Sequence, residues 1–187
     1  MILRKTLTLV TGLIALAILS VPSAFAETIA VIGTGQVAQA LGPEFAAQGH
    51  RVIYGSRDPG RPDAVKLVEL TGHDTRGTLP ADAVVQASIV VLAVPGLMVE
   101  KIVSELGSLA GKILIDPTNP LRRNKDGVFE LSTNSSNGEL IQALQPDAHV
   151  VKAFNTLNWQ TMIDPTASGG PVSIPLVGNS GKAKNVV

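Results

Sequence analysis

The sequence predicts an α/β fold: a doubly wound, mostly parallel sheet flanked by helices. Three observations carry that expectation. Short apolar runs recur along the chain, each followed by a segment with helical spacing, the alternation that builds parallel sheets. The runs are continuously apolar, which suits strands buried on both faces better than strands with one wet side. Hydrophobic residues make up 45% of the 187 residues and aromatics only 3%, so the core is aliphatic.

The first run, Ile29-Ala30-Val31-Ile32, leads into Gly33-Thr34-Gly35-Gln36-Val37-Ala38, the G-x-G-x-x-A form of the dinucleotide fingerprint. Gly33 permits the tight strand-to-helix turn. Gly35 has no side chain to obstruct a pyrophosphate approaching the backbone, and Ala38 is small enough for the helix to pack closely on the strand. The helix carries Val37, Leu41, Phe45 and Ala46 on one side and is closed by Gly49. Its first turn offers unpaired N–H groups and the positive end of a dipole to a phosphate. Residues 51–55 supply the second strand and complete a β-α-β unit, which makes the sheet Rossmann-type. The alternative is a structural turn that binds nothing.

The residues just past the second strand select the cofactor. An NAD site wants a carboxylate there for the ribose 2′-hydroxyl. This chain has Gly55-Ser56-Arg57, with Arg61 four residues on. A hydroxyl and two guanidinium groups suit a 2′-phosphate, so NADP(H) is the expected cofactor. Two alternatives stay open: an ordinary solvated loop, and Asp58 serving as the acid.

Further along, residues 64–70 read as a helix, 73–78 as a short third strand at best, and 80–86 as a short helix. Residues 88–95 form a buried strand ending at Pro95, and 98–106 a helix with Val99, Ile102, Val103 and Leu106 inward. Residues 112–116 are a fifth strand, followed by a long polar loop over 117–137 that is suspect as functional or mobile. A helix over 138–144, a sixth strand over 149–154, a helix within 157–163 and a seventh strand over 172–177 complete the pattern. Residues 181–187 open a further helix, so the chain is expected to be a fragment.

In such sheets the ligand lies across the carboxyl ends of the strands. Those ends supply Ala93-Val94-Pro95, Pro117-Thr118-Asn119 and Phe154-Asn155-Thr156, all uncharged and without an evident acid–base pair. Hydride transfer between two cofactors fits that character, because it needs aligned rings and excluded water rather than a proton donor. Thr118, Asn119 and Asn155 would then be positioning groups. Turn chemistry explains Asn and Thr at these corners equally well. No catalytic residue is assigned.

His50, His73 and His149 have no partners at ligand spacing, so no metal site is expected. The chain has no cysteine, which removes thiolate ligands and Cys nucleophiles. A formal net charge of zero gives no electrostatic case for nucleic acid. The basic run Arg122-Arg123-Asn124-Lys125 is either a solvated loop or a contact for a second cofactor's phosphate. Asn134-Ser135-Ser136 is a glycosylation acceptor that matters only in a eukaryotic secretory pathway.

Residues 1–26 stand apart from the fold. Arg4 and Lys5 precede 21 uncharged residues ending in Ala24-Phe25-Ala26, the pattern of a signal peptide cleaved before Glu27. Export to the periplasm or the extracellular space is therefore expected. An uncleaved anchor, with the domain held at the membrane, and a start codon placed too early, with a cytoplasmic protein, are the alternatives.

The segments IAVIGTGQVAQAL, VIYGSRDP, IVVLAVP, GKILIDPTNP and VVKAFNTL resemble, in this order and spacing, the deazaflavin (coenzyme F-420)-dependent NADP reductase family. The chain is also similar to the NADP-binding oxidoreductase domain of six-transmembrane metalloreductases. Pyrroline-carboxylate reductases are more distant relatives. The resemblance implies NADP held by Thr34, Gly35, Gln36 and Val37 at the pyrophosphate and by Ser56, Arg57 and Arg61 at the 2′-phosphate. Val94, Pro95 and Asn155 would line the path to the nicotinamide, with a deazaflavin or flavin as second substrate. It also implies that relatives extend past residue 187 with chain that helps build the acceptor pocket and a homodimer contact. The expected function is an NADP(H)-dependent oxidoreductase passing hydride to or from a small acceptor. The alternative is an exported nucleotide-binding protein without turnover.

Overall fold

Six strands lie side by side in one sheet, and every neighbouring pair is parallel. In the computed structural model they are β1 (Thr28–Ile32), β2 (Arg51–Gly55), β3 (Arg76–Thr78), β4 (Ile89–Leu92), β5 (Ile113–Asp116) and, after the β6–β7 hairpin introduced below, β8 (His149–Lys152). The order across the sheet is β3-β2-β1-β4-β5-β8. The chain starts in the middle, winds outward to β3, then crosses back to β4, so the order reverses between β1 and β4. The doubly wound reading holds. The structure describes residues 26–187. The leader or anchor expected over 1–26 falls almost wholly outside the described residues.

The apolar runs become strands because each buries both faces. Ala30, Ile32, Ile53, Val90, Leu92 and Leu114 point to one side, where α3 (Pro80–Val85), α4 (Val99–Glu105) and α5 (Asn137–Leu144) cover them. Ile29, Val31, Val52, Tyr54, Val91 and Ile115 point to the other, under α1 (Gln36–Ala47), α2 (Pro62–Thr71) and α6 (Trp159–Ile163). Each large aliphatic chain buried this way stabilises the fold by about 1.5–3 kcal/mol. Gly42 is fixed by this packing, since a Cβ there would collide with the Tyr54 hydroxyl crossing α1.

Local signals set the helix starts. Pro62 and Pro80 open α2 and α3 at the position where a missing N–H costs nothing. Ser136 and Glu139 form a reciprocal capping box on α5. The Ser136 N–H and the Ser135 and Ser136 hydroxyls, all donating to the Glu139 carboxylate, hold its pKa below the ordinary value. Asn158 caps α6, accepting from Thr161 N at 2.9 Å, and Ser180 caps α7 (Gly181–Val186).

Two expectations are corrected. The 117–137 loop is not structureless, for it contains an antiparallel hairpin of β6 (Leu121–Arg123) and β7 (Phe129–Leu131). Asn124 makes the turn, its side-chain oxygen accepting from Asp126 N and Val128 N at 3.0 and 2.9 Å, with Gly127 at positive φ. The seventh strand is absent. Pro171 and Pro175 remove ladder donors, and residues 172–177 make only one antiparallel bridge, between Val177 and Lys152.

Candidate functional site: the carboxyl ends of β1, β2, β4, β5 and β8

The two fingerprint glycines answer to different constraints. Gly33 has φ +112°, donates its N–H to Gly55 O at 2.8 Å, and leaves no room for a Cβ against the Ala93 carbonyl at the end of β4. The protein itself requires that glycine. Gly35 has φ −80°, and a Cβ built on it would meet nothing within 4 Å. Its lack of a side chain leaves open space beside the backbone, a cradle that a phosphate can enter and a branched side chain would occupy. Gly35 is also the N-cap of α1, where no side chain caps the helix and no acidic residue sits in the first turn. The N–H groups of Gln36 and Val37 are therefore not answered by a side chain, and nothing quenches the helix dipole. Ala38 is fully buried, which brings α1 onto the sheet.

At the end of β2, Ser56 is buried and its N–H donates to Thr78 O at 2.9 Å. Its hydroxyl closes the turn, donating to Asp58 O at 2.9 Å and accepting from Asp58 N at 3.2 Å. Arg57 is exposed, with no hydrogen-bond or ion-pair partner among the described residues. Arg61 occupies the N-cap position of α2 without capping it, and its side chain reaches back across the chain, where Nη2 donates to Thr34 Oγ1 at 2.5 Å. Residues 27 apart in sequence are thus joined at the corner between the Gly-rich turn and the end of β2.

The other expected residues meet beyond β4, β5 and β8. Val94 is half-buried and Pro95 exposed, leading into a 3₁₀ turn over Gly96–Met98. A Cβ on Gly96 would run into the Asn119 carbonyl, so the corners after β4 and β5 touch. Asn119 and Asn155 pair through their amides. Asn119 Nδ2 donates to Asn155 O at 2.7 Å, and Asn155 Nδ2 donates to Asn119 Oδ1 at 3.2 Å. Phe154, just before Asn155, holds φ +65°, a strained conformation for a bulky residue.

The expectation that these strand ends lack charge is corrected. Asp116 is fully buried, and Lys152 Nζ lies 2.9 Å from its Oδ2. Lys152 also donates to Thr118 O at 2.7 Å. Asp116 Oδ1 accepts from Thr118 N at 2.9 Å and from Thr118 Oγ1 at 2.6 Å. Asn137 Nδ2 donates to Thr118 Oγ1 at 2.7 Å and to Gly96 O at 3.0 Å. Asp116, Asn137 and Lys152 are missed by sequence reasoning because each looks ordinary in its own segment. The readable signal is one acid and one base, each closing a strand directly after buried aliphatic residues.

The sequence and the fold are matched by known proteins. A family model described as "NADP oxidoreductase coenzyme F420-dependent" matches residues 28–120. A solved structure from Arthrobacter sp. FB24, described as a putative F420-dependent NADP-reductase, is 35% identical with a TM-score of 0.79, over 86% of this chain and 77% of that one. The chain belongs to the coenzyme F420-dependent NADP oxidoreductase family. The F420-dependent NADP reductase of Methanothermobacter thermautotrophicus is 38% identical over 100 residues, half of this chain and 43% of the relative. The metalloreductase STEAP3 of Rattus norvegicus is 28% identical over 87% of this chain, which spans only 31% of that relative's length.

The residues present fit the dinucleotide named in the family's description. The uncapped first turn of α1 and the Gly35 cradle suit the pyrophosphate, and Arg57, Arg61 and the 56–58 turn suit a 2′-phosphate. Two adjoining clefts, of about 390 and 330 Å³, lie instead at the β8 edge beside α5 and Asn179. Among the described residues, no three of His, Asp and Glu converge as metal ligands. No helix among them is long and apolar enough to cross a membrane.

Proposed function

We propose that this family member binds NADP(H) and passes hydride between the nicotinamide and a deazaflavin, flavin or similar small acceptor. The carrying observation is the Arg61–Thr34 hydrogen bond, which places a guanidinium beside the Gly-rich turn where a 2′-phosphate would end. The bound dinucleotide supplies the hydride chemistry. The chain's own work is binding and orientation. The α1 N-terminus and Gly35 hold the pyrophosphate, Ser56, Arg57 and Arg61 select the 2′-phosphate, and Gln36 and Val37 offer backbone donors. Val94 and Pro95 form an apolar wall toward the ring, and the Asn119–Asn155 amides set polar groups beside it. Two-cofactor hydride transfer requires no proton from the protein, and both oxygens of the Asp116 carboxylate are already engaged by the corner it braces.

The test has two arms. Titration with NADPH and NADH should show at least about tenfold preference for NADPH. Equal affinity removes the 2′-phosphate assignment. Rapid mixing of the NADPH-loaded chain with 8-hydroxy-5-deazariboflavin should then show loss of nicotinamide absorbance coupled to acceptor reduction. Binding without transfer to this acceptor or to riboflavin would favour a nucleotide-binding protein without turnover.

We also infer export with cleavage before Glu27. Glu27 is held in the domain through its N–H to His50 Nδ1 at 3.1 Å and its carboxylate to Ser88 Oγ at 2.5 Å, so chain processed there keeps its first strand anchored. N-terminal sequencing of fractionated cells tests this, and a full-length or purely cytoplasmic species rejects it.

A further inference from the structure

We propose that Lys152, paired with Asp116, is a positioning residue for hydride transfer that sets the Asn119–Asn155 amide pair; the inference rests on the hydride-transfer reading above. The geometry shows where the pair's hydrogen bonds go. Thr118 presents three polar atoms, and all three are held. Its N–H and hydroxyl donate to Asp116 Oδ1, and its carbonyl accepts from Lys152 Nζ. The hydroxyl is held a second time by Asn137. Asn119 is the next residue, so the direction in which its amide leaves the corner is fixed by the ion pair. Asn155 springs from the same pair on the other strand, two residues after Ala153 and directly after the left-handed Phe154. Asp116 and Lys152 face each other in register at the last rung between β5 and β8. The pair therefore braces both roots of an amide pair whose members are 36 residues apart in sequence.

Stability alone is a weak reason for such a pair, because two well-packed apolar residues of similar volume usually serve the fold as well or better. Removing both charges together gives the test, since it leaves no unpaired ion. Lys152→Met and the double variant Asp116→Leu/Lys152→Met are made in the full chain. NADPH affinity in the double variant should stay within about threefold of wild type, since the pyrophosphate and 2′-phosphate groups lie across β1 and β2. Its urea midpoint should fall, because the Thr118 N–H and carbonyl lose their partners, while the chain stays folded without denaturant and hydride transfer to 8-hydroxy-5-deazariboflavin falls at least about tenfold at saturating NADPH. Nuclear Overhauser contacts between the Asn119 and Asn155 side-chain amides should weaken in parallel. Should Lys152→Met alone fail to fold, the double variant carries the test. A wild-type transfer rate in the folded double variant overturns the proposal and leaves the pair as scaffold. If the wild type transfers no hydride, the enzymatic reading fails separately. The Overhauser contacts then decide the positioning role: their loss in the double variant supports it, and their persistence overturns it.

Discussion

The two halves of the sheet build their ligand faces by different means. Across β1 and β2 the face is mostly backbone with arginines at its rim: an uncapped helix terminus, a glycine whose Cβ position is open, a turn closed by Ser56, and the side chains of Arg57 and Arg61. The buried polar side chains on that side, Thr34, Ser56 and Thr71, are all neutral hydroxyls. Across β5 and β8 the face is made of side chains gathered from distant segments: Asp116, Thr118, Asn119, Asn137, Lys152 and Asn155. A phosphate is a large fixed charge that several N–H groups can share with loose geometry. A pair of reacting rings tolerates displacements well below about 1 Å, so its surroundings need rigid support. The open half suits holding a ligand, and the braced half suits aiming one.

The comparison breaks most sharply at the glycines. Gly33→Val should destabilise the chain by about 4–5 kcal/mol, through positive φ and collision with the Ala93 carbonyl. Gly35→Val should keep its urea midpoint and lose NADPH binding, because its side chain enters only the cradle. If the two variants unfold alike, Gly35 belongs to the scaffold and the open half has no ligand-specific opening.

Asp116→Ala strands a lysine whose side chain is 17% exposed, so a partial path to water should hold the cost near about 3 kcal/mol. Denaturant unfolding measures it. A loss below about 1 kcal/mol would mean that the second half is no more tightly braced than the first. Arg61→Ala should weaken NADPH binding by about 1.5–3 kcal/mol and NADH binding little, as judged by paired titrations. Equal losses for the two cofactors would reduce Arg61 to a support for Thr34.

The smallest effect sits under the open half. Tyr54 is buried, and desolvation pushes its pKa up to about 12, against a smaller lowering by its hydrogen bond with Thr71. Because the folded value is raised above the unfolded value near 10, the neutral phenol's contribution is fully present below pH 10. It is lost as pH rises toward 12. Tyr54→Phe should cost about 1 kcal/mol at neutral pH and flatten the decline of stability over that alkaline range. An unchanged alkaline limb would show that other groups govern it.

The open half is readable in the sequence because its determinants are consecutive. The fingerprint and Gly55-Ser56-Arg57 lie within one β-α-β unit, and the physics of a tight turn names each residue. Even there, the partnership of Arg61 with Thr34 needs the fold. The braced half is only half readable. Thr118, Asn119 and Asn155 stand out as strand-end groups, but Asp116 and Lys152 do not, because each pairs across the sheet rather than along the chain. Asn137 is hidden in the same way, at the head of a helix expected to begin one residue later. The hairpin over 121–131 escapes because three-residue strands leave too few positions to show a period, and prolines at 171 and 175 overrule an apolar alternation that looks like strand.

The Asp116–Lys152 rung also bears on how β8 finds its place. Strands β5 and β8 are both short, with two or three apolar residues each, so few apolar contacts fix their alignment. Sliding β8 by one residue would set Lys152 opposite Ile115 or carry it past the end of the strand, and would leave Asp116 enclosed without a counter-charge. A slip would also turn every side chain of β8 to the wrong face. The pair thus selects one register, penalising a misaligned β8 far more than it rewards the correct one.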